Sequence, residues 1–203
     1  MQGTEACQFL EQNQWLSNAV VTGPGDGGRR VLADISADGH RLVCELGFQG
    51  FVEKLRAMLP PELQGRDCLQ FRAVRDCMPD GWAPGPGDRE PAVLSRLGEA
   101  DRYRLLLRVD AGVVYFQGHF PGNPILPGIA QLHWAAGMAM RLFGYNEVPY
   151  EVKRLKFKNI IRPASVVELV LEGNGKAEVE FGFSSEGQAH STGCLCFIEG
   201  APC

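Results

Sequence analysis

From Tyr103 onward, hydrophobic and polar positions follow one plan. Tyr103, Leu105, Leu107 and Val109 are set against Arg104 and Arg108, the period of two of a half-buried strand. A proline-rich loop follows, and then Ile129–Phe143 runs almost wholly apolar. That run predicts a helix apolar on nearly every side, which must be wrapped rather than packed along one stripe. Val152–Ile161 predicts a strand with Leu155 and Phe157 inward. Val167, Leu169 and Leu171 oppose Glu168 and Glu172, and Val179, Phe181 and Phe183 oppose Glu178 and Glu180. Asn174-Gly175 and Glu186-Gly187 are hairpin signals on either side of that second strand. His190–Ile198 closes the set. One strand, one buried helix and a four-strand antiparallel meander make an α+β layer.

Upstream the pattern is shorter-ranged. Asn18–Thr22 and Val31–Ile35 read as strands around a glycine-rich turn, Phe51, Leu55, Met58 and Leu59 sit at helical spacing, and Leu69–Val74 reads as a further strand. The loop Pro79–Asp88 marks a break, followed by a short helical tail over Ala92–Leu97. The expected organisation is a small α/β unit over residues 1–98 and an α+β domain over 101–203.

Composition narrows the function classes. At 203 residues, 45% hydrophobic and 22% charged, the chain can bury a real core. A net charge of −4 gives no global sign of a nucleic-acid partner. The long apolar run contains Gln131, His133 and Arg141 and is too short and too polar to span a bilayer. Met1–Glu5 carries neither a basic nor an apolar leader region, so no secretion signal is expected and the cytoplasm is the default. The seven cysteines are odd in number and include no C-x-x-C. They read as buried or free thiols, with Cys194 and Cys196 in the core, and no metal or cofactor is expected.

The chemistry gathers at Gly118-His119-Phe120-Pro121-Gly122-Asn123-Pro124-Ile125-Leu126-Pro127-Gly128. Its prolines fix φ and remove backbone donors, so the segment is a rigid loop. It sets His119 just ahead of a helix that starts at a glycine. A histidine there can act as a base, while the free N–H groups of the first helical turn can hold a developing oxyanion. The bland alternative is a ring hydrogen-bonded to a carbonyl within the loop.

Phe116-Gln117-Gly118-His119-Phe120-Pro121, followed by Pro124-x-x-Pro127-Gly128, resembles the signature of hotdog-fold 3-hydroxyacyl-thioester dehydratases of the FabA/FabZ kind. Pro124–Leu132 brings it closer to the ApeI-like dehydratases. Leu155-Lys156-Phe157-Lys158 with Arg162-Pro163, and His190-Ser191-Thr192-Gly193, look like that family's later strands. The resemblance covers about residues 101–203. It implies a hotdog fold, an antiparallel sheet wrapped around one long helix. It also implies a homodimer with an acyl tunnel between its copies. In the resemblance His119 is the catalytic histidine, and the Gly128 N–H holds the thioester carbonyl. Phe120, Pro127 and Gln131 are the expected substrate contacts. Where the family carries Asp or Glu as the acid, this chain has His133. An imidazolium can donate a proton, though burial lowers a histidine's pKa; His133 is alternatively a core residue facing the tunnel.

The implied activity is dehydration of a 3-hydroxyacyl thioester to a trans-2-enoyl thioester, in fatty-acid or aryl-polyene-type synthesis. Two alternatives stay open: a binding or scaffold module that has lost the chemistry, and an acyl-thioesterase. Lys153, Arg154, Lys156, Lys158 and Arg162 form a basic run. It is either a solvated strand face or a dock for an acyl carrier protein or coenzyme A. More faintly, Trp15–Val21, Phe51–Leu59 and Phe71–Val74 resemble the C-terminal lid of acyl-adenylating ligases. The family's glycine-lysine pair falls there on Gly87-Asp88. Without that lysine and a nucleotide domain no adenylation is expected, and the unit reads as a lid remnant kept for docking or packing.

Overall fold

The computed structural model describes residues 9–10, 12–25, 28–65, 68–72, 89–120 and 122–198. The Pro79–Asp88 loop with Gly87-Asp88, the Ala73-Val74 pair, Pro121, Cys7, Cys77 and Cys203 lie outside them. The chain divides into two compact units, Met1–Val74 and Arg75–Cys203.

In the first unit, β1 (Leu16–Gly25) pairs antiparallel with β2 (Gly28–Ile35), and β2 pairs parallel with β3 (Leu69–Phe71). The parallel step needs a crossover, supplied by α1 (Ala37–Met58). Ser36 caps that helix, its Oγ accepting from the Gly39 N–H at 3.1 Å. Within α1, Gly47 takes φ +73° and ψ 163°, which breaks the helical path at a residue that bears no Cβ penalty. Phe51 and Leu55 are buried as their spacing predicts, whereas Met58 is exposed.

The second unit holds β4 (Ala92–Glu99), β5 (Arg102–Val109), α2 (Gly128–Phe143), β6 (Glu151–Phe157), β7 (Ser165–Gly173), β8 (Glu178–Ser185) and β9 (Gln188–Cys196). The strands form one six-stranded sheet in the order β4-β5-β7-β8-β9-β6, with neighbouring strands antiparallel throughout. The side chains of Trp134, Met138 and Ala139 on α2 pack with Leu105, Leu107, Leu169, Leu171, Phe181 and Phe183 from the strands. This is the expected helix-in-sheet core. Both hairpin signals form turns, with Gly175 and Gly187 at positive φ.

Three expectations change. The helical tail over Ala92–Leu97 is strand β4, paired along its length with β5 and burying Val93 and Leu94. An available sheet edge decides between helix and strand in so short an apolar run. β6 does not continue a meander into β7. It lies at the far edge of the sheet beside β9, on the other side of the strands that wrap α2. Finally, Leu155 and Phe157 share the face of Val152 only because a one-residue bulge intervenes. Lys153 stands opposite Cys194 while Lys156 stands opposite Thr192, and Arg154 takes φ +53°. The extra residue flips the side-chain alternation. Both side chains then lie at a sheet edge and remain 38% and 51% exposed.

Candidate active site

The loop from Gly118 to Pro127 is held at its middle and at its helix end. Its Leu126 N–H donates to the Ile161 carbonyl at 2.8 Å, and both side chains are buried. Asn123 N–H closes back on the Phe120 carbonyl at 2.9 Å, and Arg162 Nη1 donates to Asn123 Oδ1 at 2.5 Å. Around His119 the backbone is left-handed three times, at Gly118 (φ +79°), Phe120 (+59°) and Gly122 (+85°). For a non-glycine residue that conformation costs about 1–2 kcal/mol, so Phe120 is strained beside the candidate base. His119 is exposed, and among the described residues its ring has no hydrogen-bond partner.

The helix start is bare. Pro127 offers no side-chain cap, and Ala130 and Gln131 already use the Pro127 carbonyl. The Gly128 N–H, with no acceptor among the described residues, is left free at the positive end of α2. Phe157 of β6 lies against it: a Cβ on residue 128 would sit 2.5 Å from the ring. Any side chain here would push the half-exposed Phe157 ring aside.

His133 lies one turn beyond Ile129 on the same stripe of the helix. Both are exposed, so His133 is not a buried core histidine. Its ring meets Tyr115 edge-on at 6.4 Å between centroids. Pro127 is buried, and Phe120 is 62% exposed. Gln131, an expected substrate contact, is instead 3% exposed and faces the sheet. Its Oε1 accepts from Ser191 Oγ at 2.7 Å and its Nε2 reaches the Leu126 carbonyl at 3.5 Å. Its amide ties the loop end and the helix to β9.

The basic run is smaller than its sequence suggests. Lys153 donates to Glu178 at 2.9 Å and Arg154 to Glu180 at 2.6 Å, while Arg162 serves Asn123. Among the described residues Lys156 and Lys158 alone of the five have no side-chain partner.

His190 lies in β9 with Nε2 2.7 Å from Ser185 Oγ and its Nδ1 buried beside the backbone of Asn159 and Ile160. Burial holds its pKa below the ordinary histidine value. The unfolded chain therefore binds the proton more readily, and stability falls as pH drops through the ordinary histidine range. Melting followed from pH 8 to pH 5 should show that fall, and His190→Asn should flatten it.

These features have relatives. Residues 95–194 match the ApeI-like family, described as ApeI dehydratase. A 98-residue stretch is 33% identical to the 3-hydroxyacyl-[acyl-carrier-protein] dehydratase FabZ of Lactiplantibacillus plantarum, covering 43% of this chain and 67% of that one. The chain belongs to the FabZ/ApeI-like family of hotdog dehydratases. Another member, FabZ of Levilactobacillus brevis, is 37% identical over 65 residues, which are 29% of this chain and 44% of that protein. The chain spans about half the length of several curated relatives it matches. Among solved structures, the dehydratase heterocomplex ApeI:P from Xenorhabdus doucetiae superposes with a TM-score of 0.51 at 25% identity. The match covers 54% of this chain and 99% of that one. The shared stretch contains the His119 loop, α2 and the strands that hold them.

Sequence reasoning missed Phe157 against Gly128, Ser191 against Gln131 and Tyr115 against His133. Each pair joins segments distant in sequence, and no local pattern announces it.

Proposed function

We propose that the second unit dehydrates a 3-hydroxyacyl thioester to a trans-2-enoyl thioester. The observation that carries this reading is the conjunction of a bare helix N-terminus at Gly128 with an unpartnered imidazole, His119, in the strained loop leading into it. His119 takes the proton from C2. The Gly128 N–H, with the helix dipole behind it, holds the thioester oxygen as charge develops there. His133 donates a proton to the C3 hydroxyl, which leaves as water while the C2–C3 double bond forms. Gln131 acts by positioning the loop end rather than by touching substrate.

A homodimer completes the site in this reading. β6 is an edge strand, and beside it Leu155, Phe157, Ile160 and Ile129 are exposed. An unpaired edge flanked by apolar side chains favours pairing with a second copy. The acyl chain then lies between the copies, against Phe120, Ile129 and Phe157. Lys156, Lys158 and Arg162 are the cations left without a carboxylate among the described residues to meet an acyl carrier protein or the phosphates of coenzyme A. No described helix is long and apolar enough to cross a membrane, and we assign the protein to the cytoplasm. The first unit serves as a docking or packing module.

The test is reversible hydration of a short trans-2-enoyl thioester by the full chain, read as loss of the conjugated absorbance. Turnover is expected; acyl-thioester binding without turnover would instead make this a binding module. His133→Glu should raise the rate about tenfold, since a positioned acid is worth about 10²–10⁴-fold and the site is exposed enough to accept the change. A folded His133→Glu protein slower than the parent would remove residue 133 from the acid role.

A further inference from the structure

On the sheet face opposite Leu195, three strands place six functional groups in two ranks. Cys196 stands between Glu151 of β6 and Glu178 of β8, and Cys194 stands between Lys153 and Glu180. The two thiols were expected in the core. They are buried to 1% exposure, yet Leu195, not they, joins the hydrophobic cluster. What covers them is charged. Lys153 Nζ lies 2.9 Å from Glu178 and 3.7 Å from Glu151, and Arg154 reaches Glu180.

We propose that Cys194, Cys196 and Glu178 form a binding site for a borderline, thiophilic divalent cation of the zinc class. The two Sγ atoms and a Glu178 oxygen lie within 4.8 Å of one another, and Cys196 Sγ is 3.7 Å from Glu178 Oε1. A tetrahedral ion with bonds of about 2.0–2.3 Å separates its ligand atoms by about 3.3–3.8 Å, a range that the Cys196–Glu178 pair already meets. Two sulfurs and carboxylate oxygens suit zinc or cadmium better than calcium or magnesium, which take oxygen alone. The place already holds a cation, the Lys153 ammonium. Glu151 gives that ammonium a second carboxylate to move to when Glu178 turns to a metal.

Burial pushes the Cys194 thiol up while Arg154 beside it works in the opposite sense, so metal binding releases thiol protons to solvent. Cys194 and Cys196 take no part in the proposed dehydration, and this site stands or falls separately from it.

The test is cadmium titration of the reduced chain, followed by thiolate-to-metal absorption in the ultraviolet. One tight equivalent is expected. It should vanish in Cys194→Ser/Cys196→Ser and weaken at least tenfold in Glu178→Gln. An undiminished band in the double variant would place the ion on other thiols and overturn the site. A second reading needs no variant: zinc should slow alkylation of Cys194 and Cys196 at least tenfold, mapped by peptide mass. Equal rates at Cys194 and Cys196 with and without zinc would overturn the proposal.

Discussion

Replacing His119 by alanine lowers turnover of a 3-hydroxyacyl thioester by about 10²–10⁴-fold, the usual contribution of a positioned general base. The ring is exposed and makes no hydrogen bond within the described residues, so its loss removes no packing and leaves no buried group unsatisfied. The melting temperature should stay within the narrow range of surface substitutions, about ±0.5 kcal/mol in stability. That separation makes the variant decisive. If turnover falls and the fold is unchanged, the imidazole acts on substrate. Full activity in a folded His119→Ala protein would move the base elsewhere. Binding of an acyl thioester should survive in the variant, because the Gly128 N–H and the apolar rim of Phe120, Ile129 and Phe157 remain.

Trp134→Ala has the largest expected effect on stability. Trp134 is 1% exposed and among the largest fully buried side chains. Its indole meets Tyr115, and its Nε1 donates to the Arg89 carbonyl at 2.5 Å. Truncation of such a residue costs about 3–5 kcal/mol through lost burial and the cavity left behind. At about 2–4 °C per kcal/mol for a chain of this size, the second unit should melt about 6–20 °C lower. Trp134→Phe keeps most of the ring and drops the donor. It should cost far less, nearer the 1–3 kcal/mol of an unsatisfied carbonyl. Thermal unfolding of both variants checks this; equal losses would show that the hydrogen bond rather than the ring volume holds α2 to the segment before β4.

The proline loop, the α2 run, the alternating strands β5, β7 and β8 and both turns were legible in the sequence. Each rests on neighbours in the chain. Proline restricts its own φ and that of the residue before it, an Asn-Gly pair supplies left-handed backbone, and one buried face repeats every two residues. Ala92–Leu97 was misread for the same reason. A short apolar run carries no period of its own, and the β5 edge that makes it a strand lies outside any local window.

Of the candidate site, the sequence named His119, Gly128 and His133, each with the role that the family resemblance implies. It could not assign Gln131 to the core, because that depends on Ser191 arriving opposite it. Nor could it reduce the basic run to Lys156, Lys158 and Arg162, because Glu178 and Glu180 neutralise Lys153 and Arg154 only after β8, β9 and β6 align.

By itself, then, the sequence determined a rigid histidine loop leading into a buried helix, and with it the family. The tertiary structure decided the strand order, the exposure of His133, the approach of Phe157 to Gly128 and the ranks of thiols and carboxylates on the outer sheet face. The physical reason is range. Backbone restriction and amphipathic period act within a few residues, whereas sheet register joins positions far apart in the chain, and a single bulge at Arg154 resets which side chains meet.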